Sequence, residues 1–279
     1  MKIYVIADFE SASGAVASPQ MQPGIPAYEE TRRIWMQDLN AAVEGAFEGG
    51  ATEVLINEAH YTFRNIAPEL LHPDATFITG YLKSGGQMAG FEGSDGVFMF
   101  THSMAGTQDG VLAHTYLGRE IYNLRINGNK MGELGMNAAL AGAFGIPVAL
   151  VVGDTATMRE AKNLLGEQVI GVATKEGIDR YTARCLSPAK AQALIRAGAR
   201  EAVQSLPRMN PLRIKPPVGL QIEFVGPSMA HFASMIPQVK RKDSRTVYFE
   251  HEDWRVINKV LLVIVNLCKL PLINDPLYG

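Results

Sequence analysis

Apolar residues run together at the start of the chain and stop on acid. Ile3, Tyr4, Val5, Ile6 and Ala7 form a continuous run that closes on Asp8 and Glu10, the pattern of a strand buried on both faces in a parallel sheet. Helical spacing follows from about Tyr28 to Phe47 and stops at Gly49-Gly50. A second strand, EVLINEAH, ends on His60, so the opening reads as a βαβ unit with parallel strands. A third strand, GVFMFTH, ends on His102. NLRINGNK is a hairpin around Asn127-Gly128. MGELGMNAALAGAFG is a helix with Glu133 in its first turn, and PVALVVGD is a fourth buried strand. A helix from about Thr155 to Leu165 and a strand from Val169 to Ala173 complete this portion.

The pattern changes from Ser187. SPAKAQALIRAGAREAVQSL is an amphipathic helix with Ser187 as N-cap and Pro188 at its first position. GLQIEFVG and RTVYFEHED alternate as half-exposed antiparallel strands with a helix near His231 between them, and Trp254 to Leu267 is the last helix. The prediction is an α/β fold with a mostly parallel central sheet flanked by helices, residues 1–180. A smaller α+β portion, residues 181–279, follows. Two segments carry no clear period. The Ser-, Gly- and Pro-rich stretch after Glu10 is either a substrate-covering loop or a passive connector, and Tyr61 to Asp95 reads as irregular.

Composition narrows the function classes. Hydrophobic residues are 47% of the 279 and charged residues 19%, as in an ordinary globular protein. A net charge of −2 gives no electrostatic footprint for nucleic acid or an anionic membrane. No signal-like leader is present and the Val260–Val265 run is too short to span a bilayer, so the expected location is cytoplasmic. Cys185 and Cys268, far apart in apolar surroundings, are expected as reduced, buried thiols.

Chemistry gathers at the strand ends. The carboxyl edge of a parallel sheet is where open α/β folds keep their sites, and Asp8, Glu10, His60 and His102 all fall there. While a strand lasts, residues i and i+2 share a side, which would let Asp8 and Glu10 converge. Two carboxylates held together need a proton or a cation between them. Imidazole and carboxylate are zinc ligand types, the mixture suits two ions better than one, and Glu133 would supply a further ligand. Asn137 shares a helix face with Glu133, where orientation of a ligand and simple packing are both open. His72, His231 and His251 read as surface or interface residues. The glycines of GAFGIPVALVVGD precede a strand, the wrong context for a dinucleotide-binding loop.

With these motifs in order, IADFES, NEAH, FTHSMAG, GVLAHTY, GELGMNA, CLSPAKA and the QIEF strand, the chain resembles the D-aminopeptidase family typified by the dipeptide-transport-operon enzyme, peptidase family M55. The resemblance runs the length of the chain. It implies a zinc-dependent aminopeptidase acting on short peptides, D-amino-acid peptides among them, with two zinc ions per subunit. Asp8 would bridge the ions, Glu10 and His60 would complete one site, and His102 with Glu133 the other. His114 would be the catalytic histidine, and the subunits would form a homo-oligomer, a decameric ring that encloses its active sites. Two positions depart from the family pattern: Ser11 stands where a glycine is usual, and Glu58 stands where aspartate is usual. Glu58 is a candidate partner for the substrate amine. The altered Ser11 also admits a different class of function, a metal-binding oligomeric protein that binds peptides without turning them over.

Overall fold

The computed structural model describes residues 1–268. In chain order it contains β1 (Lys2–Ala7), α1 (Pro26–Glu48), β2 (Glu53–Glu58), β3 (Thr76–Ile78), β4 (Gly96–Phe100), β5 (Ile121–Ile126) and β6 (Asn129–Lys130). Then come α2 (Glu133–Ala143), β7 (Val148–Asp154), α3 (Thr155–Leu165), β8 (Ile170–Asp179), β9 (Thr182–Cys185) and α4 (Pro188–Ser205). The last elements are β10 (Val218–Phe224), α5 (Pro227–Ala233), β11 (Lys240–Arg241), β12 (Thr246–His251) and α6 (Trp254–Cys268).

The main sheet has the order β3-β2-β1-β4-β7-β8-β9, parallel throughout except for β9. β1, β4 and β7 are buried along almost their whole length, as their unbroken apolar runs require when helices cover both faces. β1 hydrogen-bonds β2 on one side and β4 on the other. The order therefore reverses at β1, and that reversal opens a crevice beyond its carboxyl end. On one face α1 packs against α4, closely enough that a β-carbon at Gly45 would collide with the carbonyl of Arg196. Phe9, Trp35, Leu39, Val43 and Ile195 fill the core beneath these helices.

The second sheet, β11-β12-β10-β5-β6, is antiparallel and packs on α5 and α6. β5 and β6 join through Asn127 and Gly128, both at positive φ (49° and 84°), the two-residue turn that Asn-Gly favours. The expected division at residue 180 does not coincide with the sheets. β5 and β6 leave the first half to pair with β10, whereas β9 and α4 stay with the main sheet. A linear reading misses this because a hairpin carries no mark of which sheet it joins. Residues 269–279 of the expected second portion lie outside the described residues.

Smaller differences have local causes. β8 continues to Asp179, past the expected stop at Ala173, because Lys175 is buried instead of ending the strand. The irregular stretch after His60 contains the short edge strand β3. Ser187 holds the N-cap position of α4 without a side-chain cap bond. Cys185 is exposed and only Cys268 is buried, so the expectation of two buried thiols holds for one. No helix among the described residues is long and apolar enough to cross a membrane.

Candidate metal centre

Asp8 comes directly off the end of β1 and caps a single 3-10 turn, Phe9–Ser11. Glu10 therefore reaches Asp8's side by a turn and not by strand alternation, because the strand has already ended at Ala7. Phe9 anchors the turn. Its ring makes edge contacts with Tyr28, Trp35 and His60 at centroid distances of 5.2, 4.9 and 5.6 Å. Ser11 is buried, its φ is not positive, and its hydroxyl donates to the Asp8 carbonyl at 2.5 Å. Serine at this position thus costs no backbone strain.

His60 and His102 each follow a strand by two residues, β2 and β4, the neighbours of β1. Asp8 consequently lies between them and divides its two oxygens. Asp8 Oδ1 is 3.5 Å from His60 Nδ1, and Oδ2 is 3.4 Å from His102 Nε2. His60 Nδ1 also lies 2.9 Å from Glu10 Oε2, and His102 Nε2 lies 3.4 Å from Glu133 Oε1. Glu133 projects inward from the first turn of α2. His114 stacks on His102 with ring centroids 4.0 Å apart, and its Nε2 is 3.9 Å from both Glu10 Oε1 and Glu133 Oε1. All six predicted residues meet in one place. Their donor atoms fall in two groups close enough to hold a metal ion, Asp8-Glu10-His60 and His102-His114-Glu133. His72, His231 and His251 belong to neither.

Every imidazole in the cluster is held the same way. His60 Nε2 donates to the Met21 carbonyl (3.1 Å), His102 Nδ1 to the Ser103 carbonyl (3.0 Å) and His114 Nδ1 to the Leu112 carbonyl (2.8 Å). A carbonyl only accepts, so each proton position is fixed and the other nitrogen of each neutral ring aims its lone pair into the cluster. His102 Nε2 is buried with no hydrogen-bond partner. The backbone around the imidazoles is strained: Tyr61 and Phe63 follow His60, and Leu112 and Tyr116 flank His114, all at positive φ.

Three buried carboxylates face these rings, and no described lysine or arginine forms an ion pair with them. Burial alone would raise the pKa of Asp8, but the facing imidazoles of His102 and His60 hold it well below the usual value. Burial likewise opposes ionisation of Glu133, and His102 outweighs it, leaving its pKa lowered. Burial would lower the pKa of both histidines. Glu10 and Asp8 instead raise that of His60 well above the ordinary value, and Glu133 and Asp8 do the same for His102. The cluster is a nest of negative charge that holds protons when it holds no other cation. An inward-facing unpartnered nitrogen among carboxylates is a donor set that fits zinc.

Three supporting residues escaped sequence reasoning. Lys175 is 3% exposed, and its ammonium donates to the carbonyls of Glu10, Ala12 and Ala15 at 2.7, 3.0 and 2.7 Å. It ties the loop after Glu10 to β8, and burial pulls its pKa down to about 8. Gln87 donates to Glu133 Oε2, and its own oxygen accepts from Asn137 Nδ2 at 2.7 Å. Lys83 lines the cleft above the cluster. A charged residue inside an apolar strand was the available signal for Lys175; the other two roles arise only on folding. Glu58 does not line that cleft and instead accepts the Ile66 N–H. The strand ends at Glu58, so it no longer shares a side with His60.

A family model described as D-aminopeptidase, peptidase family M55, matches residues 1–263. The chain belongs to the M55 D-aminopeptidase family. Among curated relatives, a D-aminopeptidase of Bacillus subtilis (strain 168) is 33% identical over 270 residues, covering 96% of this chain and 97% of its own. Among solved structures, the Zn-dependent D-aminopeptidase DppA from Bacillus subtilis, described as a self-compartmentalizing protease, superposes with a TM-score of 0.92. Its identity to this M55 chain is 32%, over 96% of this chain and 98% of the other.

Proposed function

We propose that this M55 chain is a zinc-dependent aminopeptidase that removes the N-terminal residue of short peptides, D-amino-acid peptides among them, with two zinc ions per subunit. The observation that carries the reading is the buried cluster of carboxylates and backbone-tethered imidazoles around the unpartnered His102 Nε2. Asp8, with one oxygen toward each histidine, would be shared between the two sites. Glu10 and His60 complete one site, and His102 and Glu133 the other. The contacts from His60 and His102 to these acids run from 2.9 to 3.5 Å, whereas those of His114 are 3.9 Å. His114, set farther back, would carry protons, the catalytic role that the family resemblance implies for it.

Bound zinc would supply Lewis acidity toward the scissile carbonyl and toward a water molecule. The chain's own residues do the rest. The Leu112 carbonyl keeps the proton on His114 Nδ1, leaving Nε2 free to take a proton from the attacking water and return it to the departing amine. Tyr116 N–H, donating to Glu133 Oε1 at 2.6 Å, fixes the carboxylate beside it. The chain also assembles as a homo-oligomer, a decamer in the family pattern, with residues 181–279 contributing to assembly, and works in the cytoplasm. Leu82 and Tyr61, 71% and 65% exposed at the cleft rim, are apolar surface of the kind an assembly covers.

Metal analysis and release of amino acid from D-Ala-D-Ala and L-Ala-L-Ala test the reading. About two zinc ions per chain and hydrolysis abolished by a chelator are expected. Full zinc occupancy with no hydrolysis of any short peptide would replace the enzyme with a peptide-binding protein. His114→Ala should abolish turnover and keep both ions; loss of zinc would make His114 a ligand.

A further inference from the structure

The cleft over the metal centre has a volume of about 560 Å³, within the range of small-ligand sites. Asp8, Glu10, His60, His114 and Glu133 form its acidic floor, and Phe63, Leu82 and Leu262 are among its apolar walls. The described residues that line it include two cations, Lys83 and Arg119. They differ in how they are held.

The Lys83 ammonium donates to Asn57 Oδ1 at 2.6 Å and to the Glu58 carbonyl, and stands 4.1 Å from the centre of the Phe63 ring. Asn57 is itself fixed, because its Nδ2 donates to the carbonyls of Gly86 and Gln87 at 3.1 and 2.7 Å. All three immediate partners of the ammonium are neutral. Glu58, the acid that acts on Lys83 electrostatically, turns its carboxylate to the Ile66 N–H. An ammonium has three donors, and two are used. Lys83 thus presents a positioned positive charge with one donor unused at the cleft wall, although burial lowers its pKa to about 8. Arg119 is exposed at the rim, and ordering its long side chain around a ligand carries an entropic cost that the tethered lysine avoids. The carbonyl that Lys83 grips is two residues before His60, which puts the ammonium within roughly 7 Å of the His60 backbone, counted along the chain.

We propose that Lys83 is the specificity residue that binds the free C-terminal carboxylate of a dipeptide-sized substrate whose amino end lies at the metal centre. The inference rests on the aminopeptidase reading and adds to it the reason for preferring short peptides. A cation fixed at one distance from the cluster favours peptides whose carboxylate reaches it, whereas a peptide amide or a longer chain brings no anion to this position.

The test compares an alanine dipeptide with its C-terminal amide, in wild-type enzyme and in Lys83→Met, Lys83→Arg and Arg119→Met. Wild type should favour the acid through KM. Lys83→Met should raise KM for the acid by roughly 10–100-fold, the range for a charge-assisted hydrogen bond, and bring the acid-over-amide ratio near one. Lys83→Arg should restore much of the preference. Calorimetric binding of a reduced-bond dipeptide analogue and its amide reads the same ratio without turnover. An unaltered ratio in Lys83→Met, an equal fall in kcat for acid and amide, or a preference erased by Arg119→Met instead overturns the proposal. Should Lys83→Met fail to fold, a wild type that binds acid and amide analogues equally overturns it alone. Absence of hydrolysis by wild type, with the acid analogue still bound preferentially, would strike the aminopeptidase reading and leave the carboxylate site standing.

Discussion

In the proposed centre, zinc and protons would compete for the same two nitrogens, His60 Nδ1 and His102 Nε2. In the metal-free protein the pKa values of His60 and His102 are raised and those of Asp8 and Glu133 lowered. Groups raised in the folded state stabilise it fully below their unfolded pKa, about 6.5 for histidine, and lose that contribution as pH rises through the folded value. The lowered acids contribute above their unfolded pKa of about 4 and lose their contribution as pH falls through the folded value. Stripped protein should therefore be most stable between about pH 4 and 6.5 and melt at lower temperature as pH rises further, a trend that thermal melts with and without zinc should show reversed on metal loading. Zinc uptake at neutral pH should release protons, detectable as a dependence of the binding enthalpy on the buffer. The six clustered residues were legible because strand ends in a parallel sheet share an edge, and because each lies in a motif of the family. Lys175 was less legible: its three acceptors lie about 160 positions away, and a lysine after five strand residues looks like an exit to solvent. Lys175→Met would leave three buried carbonyls without their donor, at about 1–3 kcal/mol for each unsatisfied group. A fall in the denaturation midpoint, together with weaker zinc binding, is the expected result.

Elements set how firmly each side chain is held. Glu133 rides on the first turn of α2, and Asn137, one turn on, holds Gln87, which in turn holds Glu133 Oε2. The question left open for Asn137 is thus answered through an intermediary: it orients the residue that orients the acid. Gln87→Leu breaks the chain while keeping the bulk, and should weaken zinc binding by roughly 10–100-fold, as loss of such outer partners does. Chelator competition reads this directly. The 3-10 turn bearing Glu10 depends on Phe9 in the same way. Phe9→Ala should cost about 3–5 kcal/mol as a buried aromatic deletion, measured by urea unfolding of the stripped protein. Helix and strand existence followed the apolar periodicity closely, as Thr155–Leu165 shows. The turn at Glu10 had no such period to announce it.

At the scale of the molecule, the sheet order places β1 between β2 and β4, so one aspartate faces two histidines. Neighbouring strands could be guessed from the βαβ pattern, but the second sheet's claim on residues 121–130 could not. Pairing of β5 with β10 joins segments separated by about a hundred positions, and local sequence carries no trace of it. That pairing has a consequence for synthesis on the ribosome. All six clustered side chains have been made once residue 133 emerges. The segment that carries His114 into β5 still lacks the strand that fixes its far end, and Lys175 has not arrived to clamp the loop after Glu10. A nascent chain at that length owns the complete donor set but lacks both the strand that pairs with β5 and the lysine that holds the loop after Glu10.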